Sequence, residues 1–347
     1  MKAVVYTQNG TVEVLDRPKP TVQQPTDAVV RMLHASICGT DLHILKGDVP
    51  TAKPGLILGH EGVGIIEALG SAVQGFQVGD RVIVSCMTSC GSCRFCQRSI
   101  QSHCQQGGWT LGHQVDGTQA EFVRVPHATL SLHPLDSSVD TCAAVSLSDA
   151  LPTGFECGVC NAGISPTGSV VIVGAGPVGM AALLMACLIK PAFIVMVDLD
   201  DARLETARTM GAHHTVNSAA PDAIQQLLDL TENKGYDSVI EAVGIPATFE
   251  MCQELVAVGG QIANMGVHGV KVNLHMEKLW DRNISIHMSM CNATSTRHLQ
   301  NLVKKGELDI SSLVTHPTGF PCDQAMAAYD TFKAASKHRA LKVAIDF

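Results

Sequence analysis

Charge is scarce in this chain, and positive charge scarcer still. Only 16% of its 347 residues are charged, with 24 Lys and Arg against 32 Asp and Glu for a formal net charge of −8. The basic field that a nucleic-acid partner needs is therefore missing. Low charge together with 46% hydrophobic residues also excludes an intrinsically disordered chain, which lacks the apolar surface to fold. Internal repeats, low-complexity tracts and long linkers are absent. No apolar signal core follows Met1-Lys2-Ala3-Val4-Val5-Tyr6, so a soluble cytoplasmic protein is expected. A membrane span requires about 20 apolar residues. Residues 170–189 are uncharged throughout but contain Gly174, Gly176, Pro177 and Gly179, a pattern with a better explanation in a nucleotide-binding turn. No membrane contact is expected.

What the chain does have is length and sulfur. At roughly 150 residues per domain, two domains are expected. Thirteen cysteines would suggest a disulfide framework in a short secreted chain; here they read as reduced thiols and metal ligands.

Up to about residue 150 the sequence offers short β-type runs between Gly, Pro and Asp, at residues 2–6, 12–15, 28–33, 62–69, 81–85 and 121–125. From residue 169 the texture changes to strand, helix, strand. Strands are expected at residues 170–173, 193–197, 215–216, 238–242, 261–265 and 284–288, with helices at 180–190 and from 201 to a stop at Gly211. Six strands with intervening helices imply an α/β fold, a Rossmann-type doubly wound parallel sheet. After about residue 291 the alternation stops, and a last strand at 341–345 needs a partner.

Gly174-Ala175-Gly176-Pro177-Val178-Gly179 follows an expected strand and opens an expected helix. Its glycines permit a tight turn and close approach of a pyrophosphate, and the helix N-terminus supplies free N–H groups. Asp198 closes the next strand, 19 residues beyond Gly179 (198 − 179). A carboxylate there accepts hydrogen bonds from ribose hydroxyls and repels a 2′-phosphate, which favours NAD over NADP. Arg203 is the reason to keep NADP open.

Two groups of residues point to metal. Cys90, Cys93, Cys96 and Cys104 form C-x2-C-x2-C-x7-C, four thiolates suited to a closed, structural zinc site. An iron–sulfur cluster and an unmetallated loop are the rivals, and neighbouring Cys86 competes for a place among the four. The other group is dispersed: Cys38 in Cys38-Gly39-Thr40-Asp41-Leu42-His43, and His60 with Glu61 in Gly59-His60-Glu61-Gly62-Val63-Gly64. Spacing alone does not bring these together.

The run Gly59-His60-Glu61-x2-Gly64-x5-Gly70-x2-Val73 resembles the zinc-alcohol-dehydrogenase signature of the medium-chain dehydrogenase/reductase superfamily. Cys38, the four-cysteine lobe and the glycine motif occur in that family's order. The resemblance covers essentially the whole chain. It implies a β-rich GroES-like catalytic domain over residues 1–152 and 291–347, a Rossmann NAD-binding domain over 153–290, and an active site in the cleft between them. It also implies two zinc ions per chain. The catalytic one would be held by Cys38, His60 and a third ligand, with Glu61 as an exchangeable fourth. Where many members have cysteine as third ligand this sequence offers Asp149, as bacterial secondary-alcohol dehydrogenases do; Cys142 and Cys157 compete with it.

Zinc with one open position lowers the pKa of a bound hydroxyl. Thr40 and His43 have the spacing of the family's proton relay, with a turn residue and a surface histidine as the plain alternatives. Asp41 either accepts from a ligand histidine or closes a turn. By resemblance, Thr153 would lie behind the nicotinamide ring, Arg339 would contact the pyrophosphate and Trp109 would line the substrate pocket, with ordinary packing as the plain alternative for Trp109. Met288 and Met290 read as core or subunit-interface filler. The expectation is a zinc-dependent, NAD-preferring dehydrogenase of secondary alcohols and ketones, with primary alcohols or aldehydes as secondary substrates. It is expected as a homotetramer, with a dimer second. A polyol, butanediol or threonine-type dehydrogenase is the runner-up; a catalytically silent nucleotide-binding or structural protein is the alternative of another class.

Overall fold

A computed structural model describes residues 1–8 and 10–347, with residues 316–318 as backbone alone. The chain separates into two compact units, Met1–Asp149 with Asn292–Phe347, and Ala150–Cys291. The short helix Ala150–Thr153, cut by the expected boundary at residue 152, lies wholly in the second unit.

In the first unit Lys2–Tyr6 and Val12–Asp16 form an antiparallel hairpin. A seven-stranded sheet runs in the order Val314–Pro321, Lys342–Asp346, Ala28–Ser36, Gly62–Leu69, Arg81–Val84, Leu132–Pro134, and Phe122–Val125 also pairs with Ala28–Ser36. The carboxy-terminal strand finds two neighbours, Ala28–Ser36 antiparallel and Val314–Pro321 parallel. Period-two alternation turns Val30, Met32, Ile66, Val82 and Val84 into one core with Leu111, Val123 and Leu132; each such side chain stabilises the fold by about 1.5–3 kcal/mol. A neighbouring core gathers Ile37, Ile44, Leu58, Tyr329, Val343 and Ile345. Ile37 and Ile44 lie on either side of Cys38 in the chain, so this core pins the segment that carries the cysteine.

The second unit holds six parallel strands in the order His214–Asn217, Phe193–Asp198, Ser169–Val173, Tyr236–Glu241, Val256–Asn264, Ser285–Met288. The chain winds outward from Ser169–Val173, then returns to its other side, so the order reverses at the glycine-rich turn, where doubly wound sheets bind ligands. Val256–Asn264 begins well before the expected residue 261, because Val256 pairs with Tyr236 across a bulge. The helix expected from residue 180 begins at Pro177, whose fixed φ suits a first helical position. Its thirteen residues, Pro177–Ile189, span only about 20 Å. Met180, Ala181, Ala182, Leu183, Met185 and Ala186 are buried, which explains the uncharged run. Among the described residues no helix is long and apolar enough to cross a membrane.

Candidate functional site

Cys38 caps the helix Gly39–Lys46 in extended conformation, and the Asp41 carboxylate accepts from its N–H at 2.9 Å. Gln119 Nε2 also donates to Asp41 at 3.1 Å, while Gln119 Oε1 accepts from Tyr329 at 2.8 Å. Of the two roles left open for Asp41, the turn-closing one is the one observed; its other oxygen is buried without a partner. Burial raises its pKa.

His60 follows Gly59, whose φ of +92° favours glycine and whose Cβ would meet the Gln119 side chain at 2.6 Å. Gly64 lets two strands approach, since a Cβ there would lie 2.4 Å from the Arg31 carbonyl oxygen. Asp149 reaches the same place because Ser148 is locked to the strand behind Glu61. Its hydroxyl donates to the Gly62 carbonyl and accepts from the Gly62 N–H, both at 3.1 Å. Asp149 Oδ2 then lies 3.8 Å from Cys38 Sγ and 3.7 Å from His60 Nε2. Ligand atoms of Cys38, His60, Glu61 and Asp149 all fall within 4.8 Å of one another. A tetrahedral zinc with bonds of about 2.0–2.3 Å has edges of about 3.3–3.8 Å, so Cys38, His60 and Asp149 fit that ion. Burial opposes a charged His60, but Asp149 and Cys38 outweigh it and push its pKa well above the usual value. Burial also opposes the Asp149 carboxylate, yet His60 holds its pKa below the ordinary range. Cys142 and Cys157 are not in the group. Cys142 is packed with Val314 and Ala344 and pushed up to about 12 by burial. Cys157 meets Cys291, whose hydrogen bond raises its pKa.

Sequence reasoning missed Lys342. Its ammonium and the Glu61 carboxylate form a fully buried ion pair, at 2.5 Å to Oε2, and Ser36 donates to the same carboxylate. Burial raises the pKa of Glu61 and the lysine charge opposes that rise. The one available signal was a lysine opening the strand Lys342–Asp346, directly before the apolar run Val343, Ala344 and Ile345.

Cys38 Sγ donates to Thr40 Oγ1 at 3.6 Å. His43, three residues on along the same helix, is part-exposed and bonded through Nδ1 to Asp48 Oδ2 at 2.8 Å. Trp109 stands edge-on to His60 at 6.2 Å and stacks on His113 at 4.1 Å.

Cys90, Cys93, Cys96 and Cys104 bring their sulfurs within 4.8 Å of one another, with Cys93 and Cys104 at 4.0 Å. Tetrahedral Zn–S bonds of about 2.3 Å need about 3.8 Å. N–H donors from Cys96 and Gln105 lower Cys93 to about 6, whereas burial and then Cys93 raise Cys96 to about 12. A bound cation would favour the thiolate form of all four. Cys86 is buried outside this group.

In the second unit a cavity of about 310 Å³ is lined by Gly174, Gly176, Asp198, Arg203 and Thr248, among others. Gly174 has φ +108°, and a Cβ at Gly179 would lie 1.8 Å from the Gly174 carbonyl oxygen, so only glycines make this turn. Pro177 and Val178 open the helix that follows. Asp198 accepts from the Ala175 N–H at 2.7 Å and the Asp200 N–H at 3.0 Å. Glu241, not singled out from the sequence, shapes the cavity rim: it accepts from the Val243 and Gly244 N–H groups and from Thr248 Oγ1 at 2.7–3.0 Å. Thr153 ends a short helix of this unit, and Arg339 is an exposed, left-handed residue of the first.

Two family models match the chain: an alcohol dehydrogenase GroES-like domain over residues 24–136 and a zinc-binding dehydrogenase over residues 177–305. An alcohol dehydrogenase of Cupriavidus necator is 36% identical over 99% of this chain and 98% of its own. A sorbitol dehydrogenase of Bacillus subtilis is 29% identical over 91% of this chain and 89% of its own. Among solved structures, the apo form of zinc-dependent alcohol dehydrogenase 2 from Streptococcus pneumonia superposes with a TM-score of 0.95 at 46% identity, covering 100% of this chain and 98% of that one. With these matches the motifs, both cysteine-containing clusters and the glycine turn acquire one explanation: the chain belongs to the zinc-dependent alcohol dehydrogenases of the medium-chain dehydrogenase/reductase superfamily.

Proposed function

We propose that the protein interconverts secondary alcohols and ketones, with primary alcohols or aldehydes as slower substrates, by hydride exchange with NAD. The observation that carries this reading is the convergence of Cys38, His60 and Asp149, with the Thr40 hydroxyl against the Cys38 sulfur. When bound, zinc at these residues supplies a Lewis acid that acidifies the substrate hydroxyl, and NAD supplies the hydride acceptor. Thr40 accepts the substrate's proton at Oγ1 as it gives up its own. His43, oriented by Asp48 and open to water, carries that proton to solvent. Glu61, neutralised by Lys342, stands ready as an exchangeable ligand. The residues behind the nicotinamide, on the pyrophosphate and in the substrate wall are Thr153, Arg339 and Trp109. Asp198 favours NAD by repelling a 2′-phosphate at the cavity that it lines with Arg203.

Initial rates with 2-propanol, 2-butanol, ethanol and 2,3-butanediol, using NAD and NADP in parallel and with a chelator added, test this. The 2-alkanols with NAD should be fastest, and the chelator should abolish the rate. Faster turnover of 2,3-butanediol would favour the polyol reading, which the likeness to a sorbitol dehydrogenase supports; no turnover of any alcohol would sink both.

A homotetramer, or failing that a dimer, is our reading of assembly. The strand Ser285–Met288 ends the second unit's sheet, and Trp280, Met288, Val270 and Val267 are 57–74% exposed, a surface that favours self-association. Light scattering on the purified protein checks it. A cytoplasmic location agrees with the reduced thiols that both zinc sites require.

A further inference from the structure

A cavity of about 220 Å³ lies within the first unit, and none of the residues gathered around Cys38 lines it. Its walls include Gly91 of the cysteine lobe, Gln101, His133 on the strand Leu132–Pro134, and Arg297 in the first turn of the helix Thr296–Lys304. Ser102 fastens the lobe to this helix's approach by donating its N–H and hydroxyl to Asn292 Oδ1 at 3.0 and 2.8 Å.

His133 is 8% exposed, and neither of its ring nitrogens has a hydrogen-bond partner. Gln101 Oε1 is likewise buried and unpartnered. Buried polar groups left unmade are rare and call for an occupant. Burial, and then the Arg297 charge, hold His133 down to about 4, so at neutral pH its ring presents one N–H donor and one acceptor nitrogen. Arg297 forms no ion pair among the described residues, and no acidic residue stands in the first turn of its helix. A cation at a helix N-terminus is unfavourable, whereas an anion there is stabilised by the free N–H groups and the dipole.

Donors and positive charge thus face the cavity beside two unmet acceptors. We propose that it binds a small oxyanion carrying its own hydroxyl hydrogen, the chemistry shared by hydrogen phosphate and the monoanion of a phosphate monoester. The anionic oxygens accept from the Arg297 guanidinium and the His133 N–H, and the hydroxyl donates to Gln101 Oε1. The volume holds such an ion with several waters, each occupying about 30 Å³.

The test uses full-length, zinc-loaded protein with labelled histidine rings, the His133 resonance being assigned by its loss in His133→Gln. Inorganic phosphate is titrated at pH 7 with ionic strength held constant by chloride, and glycerol 3-phosphate is titrated in the same way. The proposal expects a saturable shift of the His133 signal and affinity about tenfold weaker in Arg297→Gln, the loss of one charge-assisted contact. Whichever probe binds more tightly identifies the source, free ion or metabolite headgroup. Absence of a saturable His133 shift with both probes overturns the site, as does an unchanged affinity in Arg297→Gln, whose exposed side chain the fold does not need.

Discussion

The two zinc-type constellations are built in opposite ways. Cys90, Cys93, Cys96 and Cys104 lie within a single lobe, and a few turns are enough to gather them. Cys38, His60 and Asp149 come from a helix cap, the residue before Glu61 and its strand, and the end of the first unit, with Cys38 and Asp149 separated by 111 positions. The local set is four thiols with the spacing to close around an ion. The dispersed set mixes sulfur, imidazole and carboxylate, has a hydroxyl beside it, and is backed by the buried pair of Lys342 and Glu61. A closed local set can contribute only to stability, whereas an open set assembled by the whole unit can carry chemistry, at the cost of depending on that unit's packing.

Substituting one member of each set should separate these roles most sharply. Cys38→Ala is expected to lower kcat/KM by about a thousandfold or more, several kcal/mol of lost Lewis-acid stabilisation, with little change in Tm. Cys93→Ser should do the reverse, lowering Tm by roughly 10 °C while the folded fraction keeps its kcat. Initial rates beside calorimetry read both, and similar effects from the two variants would erase the distinction.

The pair behind the dispersed site gives the next effect. Lys342→Met leaves the Glu61 carboxylate buried without its cation, for a loss of about 3–5 kcal/mol in denaturant unfolding. Lys342→Arg should recover most of that loss.

On the lobe's side of the molecule the effect is a pH dependence. His133 sits near 4 in the fold through burial and Arg297, against about 6.5 unfolded. The folded state therefore resists protonating it. This contribution is intact above pH 6.5 and is lost as pH falls towards 4, by about 3 kcal/mol in all. His133→Phe should remove that part of the slope; an unchanged slope would mean that His133 does not stay neutral. The smallest effect concerns the second unit: Asp198→Asn should move the ratio of NADP to NAD kcat/KM by about tenfold towards NADP.

What was legible in the sequence follows the same contrast. The cysteine lobe and the glycine turn could be read directly because their chemistry is local. The strands of the second unit were visible as apolar runs because both faces of a parallel sheet are covered. Asp149 was reached only through family resemblance, since what carries it to His60 is a Ser148–Gly62 lock across 86 positions. Lys342 pairs with Glu61 across 281 positions, and no local pattern encodes that distance. The helix Gly39–Lys46 went unread because only Asp41 and Ile44 of its eight residues are buried, too few to mark an apolar stripe. Val314–Pro321 holds two prolines and a glycine, which reads as loop until Lys342–Asp346 is there to pair with it.

The most direct test counts zinc per chain against 2-propanol oxidation in the unaltered protein, Cys38→Ala and Cys93→Ser. The account predicts two, one and one zinc ions respectively, with oxidation lost only in Cys38→Ala. A Cys38→Ala protein that keeps two zinc ions and its rate, or a folded Cys93→Ser protein that is inactive, would contradict it.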